Sequence, residues 1–64
     1  MDYTVLRLGT VKKRTGMSRS NIYKLMSEGH FPKSISLGAR AVGWIESEIN
    51  EWIEQRIEFS RKSK

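Results

Sequence analysis

Three segments of the chain carry apolar residues at the spacing of an α-helix. In the first, residues 8–15, Leu8 and Val11 are three positions apart and therefore share a face. Gly16 follows as a residue suited to the left-handed conformation that ends helices. We therefore expect a short first helix over residues 8–15.

A second helix is expected over residues 18–28. Its apolar stripe at positions i, i+3 and i+4 consists of Ile22, Leu25 and Met26. Ser18 is the expected N-cap, because its hydroxyl can accept a free backbone N–H, and Gly29 followed by Pro32 ends the helix. Residues 15–18 form a tight turn containing a glycine, so the two helices together match a helix-turn-helix.

Residues 33–45 change to a period of two, which predicts strands. The alternating apolar positions are Ile35, Leu37, Val42 and Trp44. Residues 38–41, Gly-Ala-Arg-Ala, are the expected hairpin loop, with Gly38 available for a positive φ. Because two strands alone are marginally stable, the hairpin must pack on the helices.

A third helix is expected over residues 46–59. Its apolar stripe consists of Ile49, Trp52, Ile53 and Ile57, and its first turns are rich in glutamate, which suits the helix dipole. We expect Trp44 and Trp52 to anchor the core, and a fully buried ring would need a hydrogen-bond partner for its N–H group. Residues 60–64 form a basic tail that we expect to be frayed.

These elements predict an α+β, mostly helical fold: a small winged helix-turn-helix in the order α-α-β-β-α. We expect a single DNA-binding domain over residues 1–64, with its core at about residues 5–59. The chain begins with Met1, so we expect a whole small protein.

The net charge of +5 is distributed unevenly along the chain. Residues 1–45 contain eight basic and two acidic residues, a net charge of +6, whereas residues 46–64 contain four basic and five acidic residues, a net charge of −1. A positive field of this kind attracts a polyanion. Within it, Lys12, Lys13 and Lys33 are candidate contacts to DNA phosphates.

Several classes of function are disfavoured by the composition. With no cysteine the chain has neither a disulfide framework nor a thiolate zinc site, and His30 is the only histidine. Ser18 and Ser20 have no base and acid partners that would make a nucleophile. The apolar runs are too short for a membrane span or a signal peptide. We therefore expect no enzyme, no cofactor and no metal, and a cytoplasmic location.

The outward face of the second helix is polar. It consists of Arg19, Ser20, Tyr23, Lys24 and Ser27. A recognition helix contacts bases mainly through its N-terminal residues, which selects Arg19 and Ser20, with Asn21 and Tyr23 behind them. Arg40 at the hairpin tip suits a narrow minor groove. The alternative is an ordinary solvated helix face that is merely polar.

The segments "TGMSRSNIYKLMSEGHFPKSISLG" and "RAVGWIESEINEWI" resemble the AlpA family of prophage and mobile-island regulatory proteins, which is related to phage excisionases and to the winged helix of MerR-type regulators. The resemblance covers residues 7–57. It implies a winged-helix DNA binder that activates transcription of an integrase gene or directs prophage excision. On this resemblance the DNA-facing helix carries Ser18, Arg19, Ser20, Tyr23 and Lys24, and the wing carries Arg40. We expect no effector sensing, because the chain stops at residue 64.

The predicted function is that of a sequence-specific DNA-binding protein of a prophage or mobile element, acting as a transcriptional regulator or as an excisionase. The expected partner is double-stranded DNA, bound by a protein that is a monomer in solution and assembles cooperatively on DNA. The alternative is an interaction module in which the Trp52 helix or the basic face docks an integrase or another protein.

Overall fold

The computed structural model of the protein describes residues 2–62. Its elements in chain order are β1 (Val5–Leu6), α1 (Leu8–Thr15), α2 (Arg19–Ser27), β2 (Ile35–Gly38), β3 (Ala41–Ile45) and α3 (Glu46–Lys62). The predicted α+β class and the order α-α-β-β-α are confirmed. The strand β1 precedes them. It was not predicted, because two residues are too few to show a period of two.

The connection between α1 and α2 has the predicted helix-turn-helix character. Gly16 has φ 71°, and its N–H donates to the Lys12 carbonyl at 2.8 Å. The Ser18 hydroxyl accepts the Asn21 N–H at 3.2 Å, as expected of an N-cap. Because Ser18 is the N-cap and Glu28 the C-cap, α2 is one residue shorter at each end than predicted.

The sheet is antiparallel and has β3 at its centre, in the order β1-β3-β2. On one side Leu6 pairs with Trp44, and on the other Ile35 pairs with Gly43. All four residues of β2 are exposed, including Ile35 and Leu37, the apolar residues whose alternation predicted the strand. The hairpin therefore packs on the helices through β3, and β2 lies outside the core.

Each element except β2 contributes one buried hydrophobic residue to the core, and the segment between α2 and β2 contributes another. The buried members of the core are Leu6, Val11, Ile22, Phe31, Trp44 and Ile49. Trp44 is fully buried, and its Nε1–H donates to the Pro32 carbonyl at 3.1 Å. Trp52 is half-buried and donates to the His30 carbonyl at 2.8 Å. Both indole N–H groups therefore have hydrogen-bond partners, as was expected of a fully buried ring such as Trp44.

The third helix is longer than the sequence suggested. The prediction of a frayed tail is wrong for residues 60–62, which continue α3, while residues 63–64 lie outside the described part of the chain. Arg61 and Lys62 in the last turn suit the helix dipole, and Lys62 lies 3.6 Å from Glu58 one turn earlier. These interactions favour a helical end.

An ion pair ties α1 to α3. The Arg14 guanidinium contacts the Glu46 carboxylate at 2.9 Å and donates to the Asn50 side-chain oxygen at 3.3 Å. Both members of the pair are about a third exposed, so we expect a contribution of at most about 1 kcal/mol. The buried residues therefore provide most of the stability.

Gly43 marks the closest approach between β1 and β3. A Cβ at this position would lie 3.1 Å from the Leu6 carbonyl oxygen and would overlap the Val5 side chain. The backbone oxygen is held in the sheet and has little freedom to move away. Glycine at position 43 therefore allows β1 to dock.

We expect Gly43→Ala to lower the free energy of unfolding by roughly 1–3 kcal/mol, because the added methyl group overpacks the β1 contact. Gly9→Ala is the matched control: Gly9 lies in α1 with open space around it, so alanine should stabilise the protein by about 0.5–1 kcal/mol. Urea unfolding of both variants measures the difference. Equal stability of the two would contradict a tight β1 contact.

Candidate nucleic-acid interface

The two faces of α2 differ as the sequence predicted. Ile22 is fully buried, whereas the polar residues proposed to face DNA are all exposed: Arg19, Ser20, Asn21, Tyr23, Lys24 and Ser27. Ser20, Lys24 and Ser27 are spaced i, i+4 and i+7 and so lie along one line of the helix. The arrangement presents hydroxyl groups and cations on a rigid, capped helix.

Not all of the hydroxyls on this face are equally available to DNA. The Ser18 oxygen accepts the Asn21 N–H, and the Ser27 hydroxyl donates to the Lys24 carbonyl at 2.7 Å. The Ser20 hydroxyl makes no hydrogen bond within residues 2–62. Ser20 is thus the serine best able both to donate to and to accept from a base, while Ser18 and Ser27 also bond the helix backbone.

Tyr23 of α2 contacts an arginine on the same helix and a tryptophan of the core. The Arg19 Cζ atom lies 5.4 Å from the centroid of the Tyr23 ring, close enough for a cation–π interaction. The Tyr23 ring in turn meets the buried Trp44 ring edge-on, with centroids 6.3 Å apart and an interplanar angle of 69°. Sequence reasoning placed Tyr23 among the DNA contacts and missed its packing on Trp44, because that contact joins α2 to a distant strand.

The wing ends in an exposed Arg40 whose backbone is in an unusual conformation. Arg40 has φ 64° and is the one non-glycine residue with a positive φ among residues 2–62. Gly38 supplies a second positive φ, at 139°, and the Ser36 hydroxyl bonds both the N–H and the carbonyl of Gly38. A left-handed residue with a Cβ costs about 1–2 kcal/mol.

The three lysines proposed as phosphate contacts are exposed but do not share one environment. Lys12 and Lys13 lie in the last turn of α1. Lys33 borders an open groove between α3 and the segment joining α2 to β2, and the same groove contains Glu48 and Glu51. The charge total of the first 45 residues could not reveal this separation, since it depends on where α3 packs.

The groove beside α3 is lined by apolar and aromatic side chains and by about as many polar and charged ones. The apolar and aromatic ones include Trp52, Phe59 and Pro32, and Phe59 is 68% exposed. Arg56 covers part of it, with Cζ 5.6 Å from the Trp52 ring centroid. Within the described residues 2–62 we find neither a group of acidic and histidine side chains suited to a metal ion nor a helix long and apolar enough to cross a bilayer.

The chain is similar to known proteins of one family over most of its length. The model of the family described as "Prophage CP4-57 regulatory protein (AlpA)" matches residues 4–57. The DNA-binding transcriptional activator AlpA of Escherichia coli (strain K12) is 45% identical over 61 residues, which cover 86% of this chain and 87% of that protein. The uncharacterized protein ORF88 of Enterobacteria phage P4 is 44% identical over 52 residues, which cover 81% of this chain and 59% of that protein.

The conformation of Arg40 allows stability and DNA contact to be measured separately. Arg40→Gly should raise the free energy of unfolding by up to about 1 kcal/mol, because glycine removes the left-handed strain at some cost in chain entropy. Arg40→Ala keeps the strain and should change stability by less than about 0.5 kcal/mol. Both variants lack the guanidinium, so both should bind duplex DNA more weakly than the parent protein, as measured by fluorescence anisotropy. Undiminished binding by both would remove Arg40 from the interface.

Proposed function

Since this chain belongs to the AlpA family of prophage regulatory proteins, we propose that it is a sequence-specific DNA-binding transcriptional regulator of a prophage or mobile element. The observation that supports this most directly is the exposed polar face of α2, which begins at a capped N-terminus and opens with Arg19. A basic wing tip at Arg40 accompanies it.

The proposed mechanism has two stages. The positive field of the first 45 residues first captures DNA through its phosphates, with Lys12 and Lys13 as contacts. The N-terminal turn of α2 then enters the major groove, where Arg19 donates two hydrogen bonds to a guanine and Ser20 contacts a neighbouring base edge. Arg40 reaches an adjacent minor groove.

The same binding would serve an excisionase as well as a transcriptional activator, because both act by occupying a chosen DNA site. We propose that the protein acts in the cytoplasm and is not an enzyme. Its proposed biological output is transcription of an integrase gene, excision of the element, or both, and a promoter reporter alongside an excision assay in cells separates these outputs.

We predict that the protein enriches a defined motif from a pool of random duplexes. Arg19→Ala should cost about 1–3 kcal/mol of binding free energy on the enriched duplex and should relax one base position, if Arg19 contacts a base. Arg56→Ala, which removes an equal charge from an exposed position on α3, is the control and should leave the motif unchanged. An equal loss on every sequence would show that Arg19 holds phosphate alone, and no enrichment by the parent protein would refute sequence specificity.

A second candidate function, docking of an integrase, is favoured by the groove beside α3, where the Phe59 ring is exposed. Binding to duplex DNA and binding to an integrase, each measured between 50 and 200 mM salt, distinguish the two functions. Binding to phosphates should weaken steeply, by about a thousandfold for six contacts, whereas docking through the groove should change little.

We also propose that the protein is a monomer in solution and assembles cooperatively on DNA. A single small module buries only about 600–1,000 Å² on DNA, so occupancy of a promoter should require several adjacent copies. The acidic first turns of α3 in one copy and the basic end of α3 in the next would suit a head-to-tail contact.

We expect sedimentation of the free protein to give a monomer, and affinity per site to rise from duplexes with one site to those with two and three. A stable dimer without DNA, or equal affinity per site on all three duplexes, would contradict this assembly.

A further inference from the structure

The first residue of α2 is linked to the core of the protein through a single aromatic ring. Arg19 and Tyr23 are four residues apart, so their side chains occupy the same face of the helix. From this arrangement we infer that Tyr23 is a positioning residue: its ring orients the Arg19 guanidinium for a base, and its hydroxyl is dispensable. The inference rests on the proposed function and specifies how Arg19 selects its base.

The Tyr23 ring is itself fixed. It is 37% exposed, and its buried side packs edge-to-face on Trp44. Trp44 has no exposed surface, and its N–H is bonded to the Pro32 carbonyl. The orientation of the ring is therefore set by the core, so Tyr23 offers Arg19 a rigid surface.

A fixed ring beneath an arginine affects recognition in two ways. An arginine side chain has many rotamers, and part of that conformational entropy is lost when it binds a base. A contact with the ring in the free protein reduces that loss in advance. A guanidinium that stacks through its face also keeps its N–H donors, which lie in its plane, available for a guanine edge.

A second arginine–ring pair provides an internal comparison. Arg56 lies over Trp52 at 5.6 Å, nearly the same distance as in the Arg19–Tyr23 pair, but it lies on α3 beside the groove. Breaking this pair with Arg56→Ala should leave base selectivity unchanged. A general effect of losing an arginine–ring contact would appear in both pairs.

The experiment is a double-mutant cycle on the duplex that the parent protein enriches from a random pool. Tyr23→Leu should weaken binding about two- to fivefold, the range expected for an exposed cation–π contact, and should relax the same base position as Arg19→Ala. Tyr23→Phe should retain affinity and selectivity. In the Arg19→Ala background, Tyr23→Leu should have no further effect, because Tyr23 acts through Arg19.

A measurement without DNA tests the contact directly. In NMR spectra of the free protein, the Arg19 Hδ signals should show a ring-current shift in the parent and in Tyr23→Phe, and should lose it in Tyr23→Leu. Thermal unfolding verifies that each variant is folded at the assay temperature. If Tyr23→Leu does not fold, Tyr23→Met takes its place, because methionine fills space flexibly and tolerates contact with an aromatic ring.

Three results would overturn the inference. Loss of affinity in Tyr23→Phe equal to that in Tyr23→Leu would show that the hydroxyl contacts DNA. Equal losses from Tyr23→Leu with and without Arg19 would show that the two residues act independently. Absence of the ring-current shift in the parent would remove the contact itself. In each case the parent still enriches its motif, so the proposed function stands, whereas failure of the parent to enrich a motif would refute both.

Discussion

The burial of Trp44 in the central strand is the interaction on which the rest of this structure depends. Its backbone pairs with Leu6 of β1, its ring supports Tyr23 of α2, and its N–H bonds the carbonyl of Pro32. A buried indole without a partner would cost the desolvation of its N–H, so the Pro32 bond allows complete burial. A domain of 64 residues has few other large groups to bury.

The same residue joins the two elements that are proposed to contact DNA. Trp44 lies on β3, which begins directly after the wing tip at Arg40, and it contacts α2 through Tyr23. The helix and the wing are therefore held against one shared core residue. Recognition that uses two grooves at once gains from such preorganisation, because less ordering is needed on binding.

Several residues of this small protein serve folding and the interface together. Ser18 caps α2 at the point where the helix would meet DNA, and Tyr23 packs on the core while flanking Arg19. Arg40 is strained in the free protein, at a site where glycine would be easier to accommodate. Strain of this kind is common where a side chain is needed for contact with a ligand.

The sequence by itself determined the local elements: both helices of the helix-turn-helix, the Gly16 turn, the Ser18 cap and the hairpin, since each depends on neighbours within a few residues. It also placed the polar face of α2, because helical periodicity puts Ser20 and Lys24 on the side opposite the buried Ile22. Only the tertiary structure decided the rest. Gly43 leaves room for β1 to pair with β3, and β2 is exposed because β3 takes the core side of the hairpin. The separation of Lys33 from the α1 lysines and the Tyr23–Trp44 contact have the same origin. Each of these features depends on how segments distant in the chain pack together. Local periodicity contains no information about which distant surfaces meet.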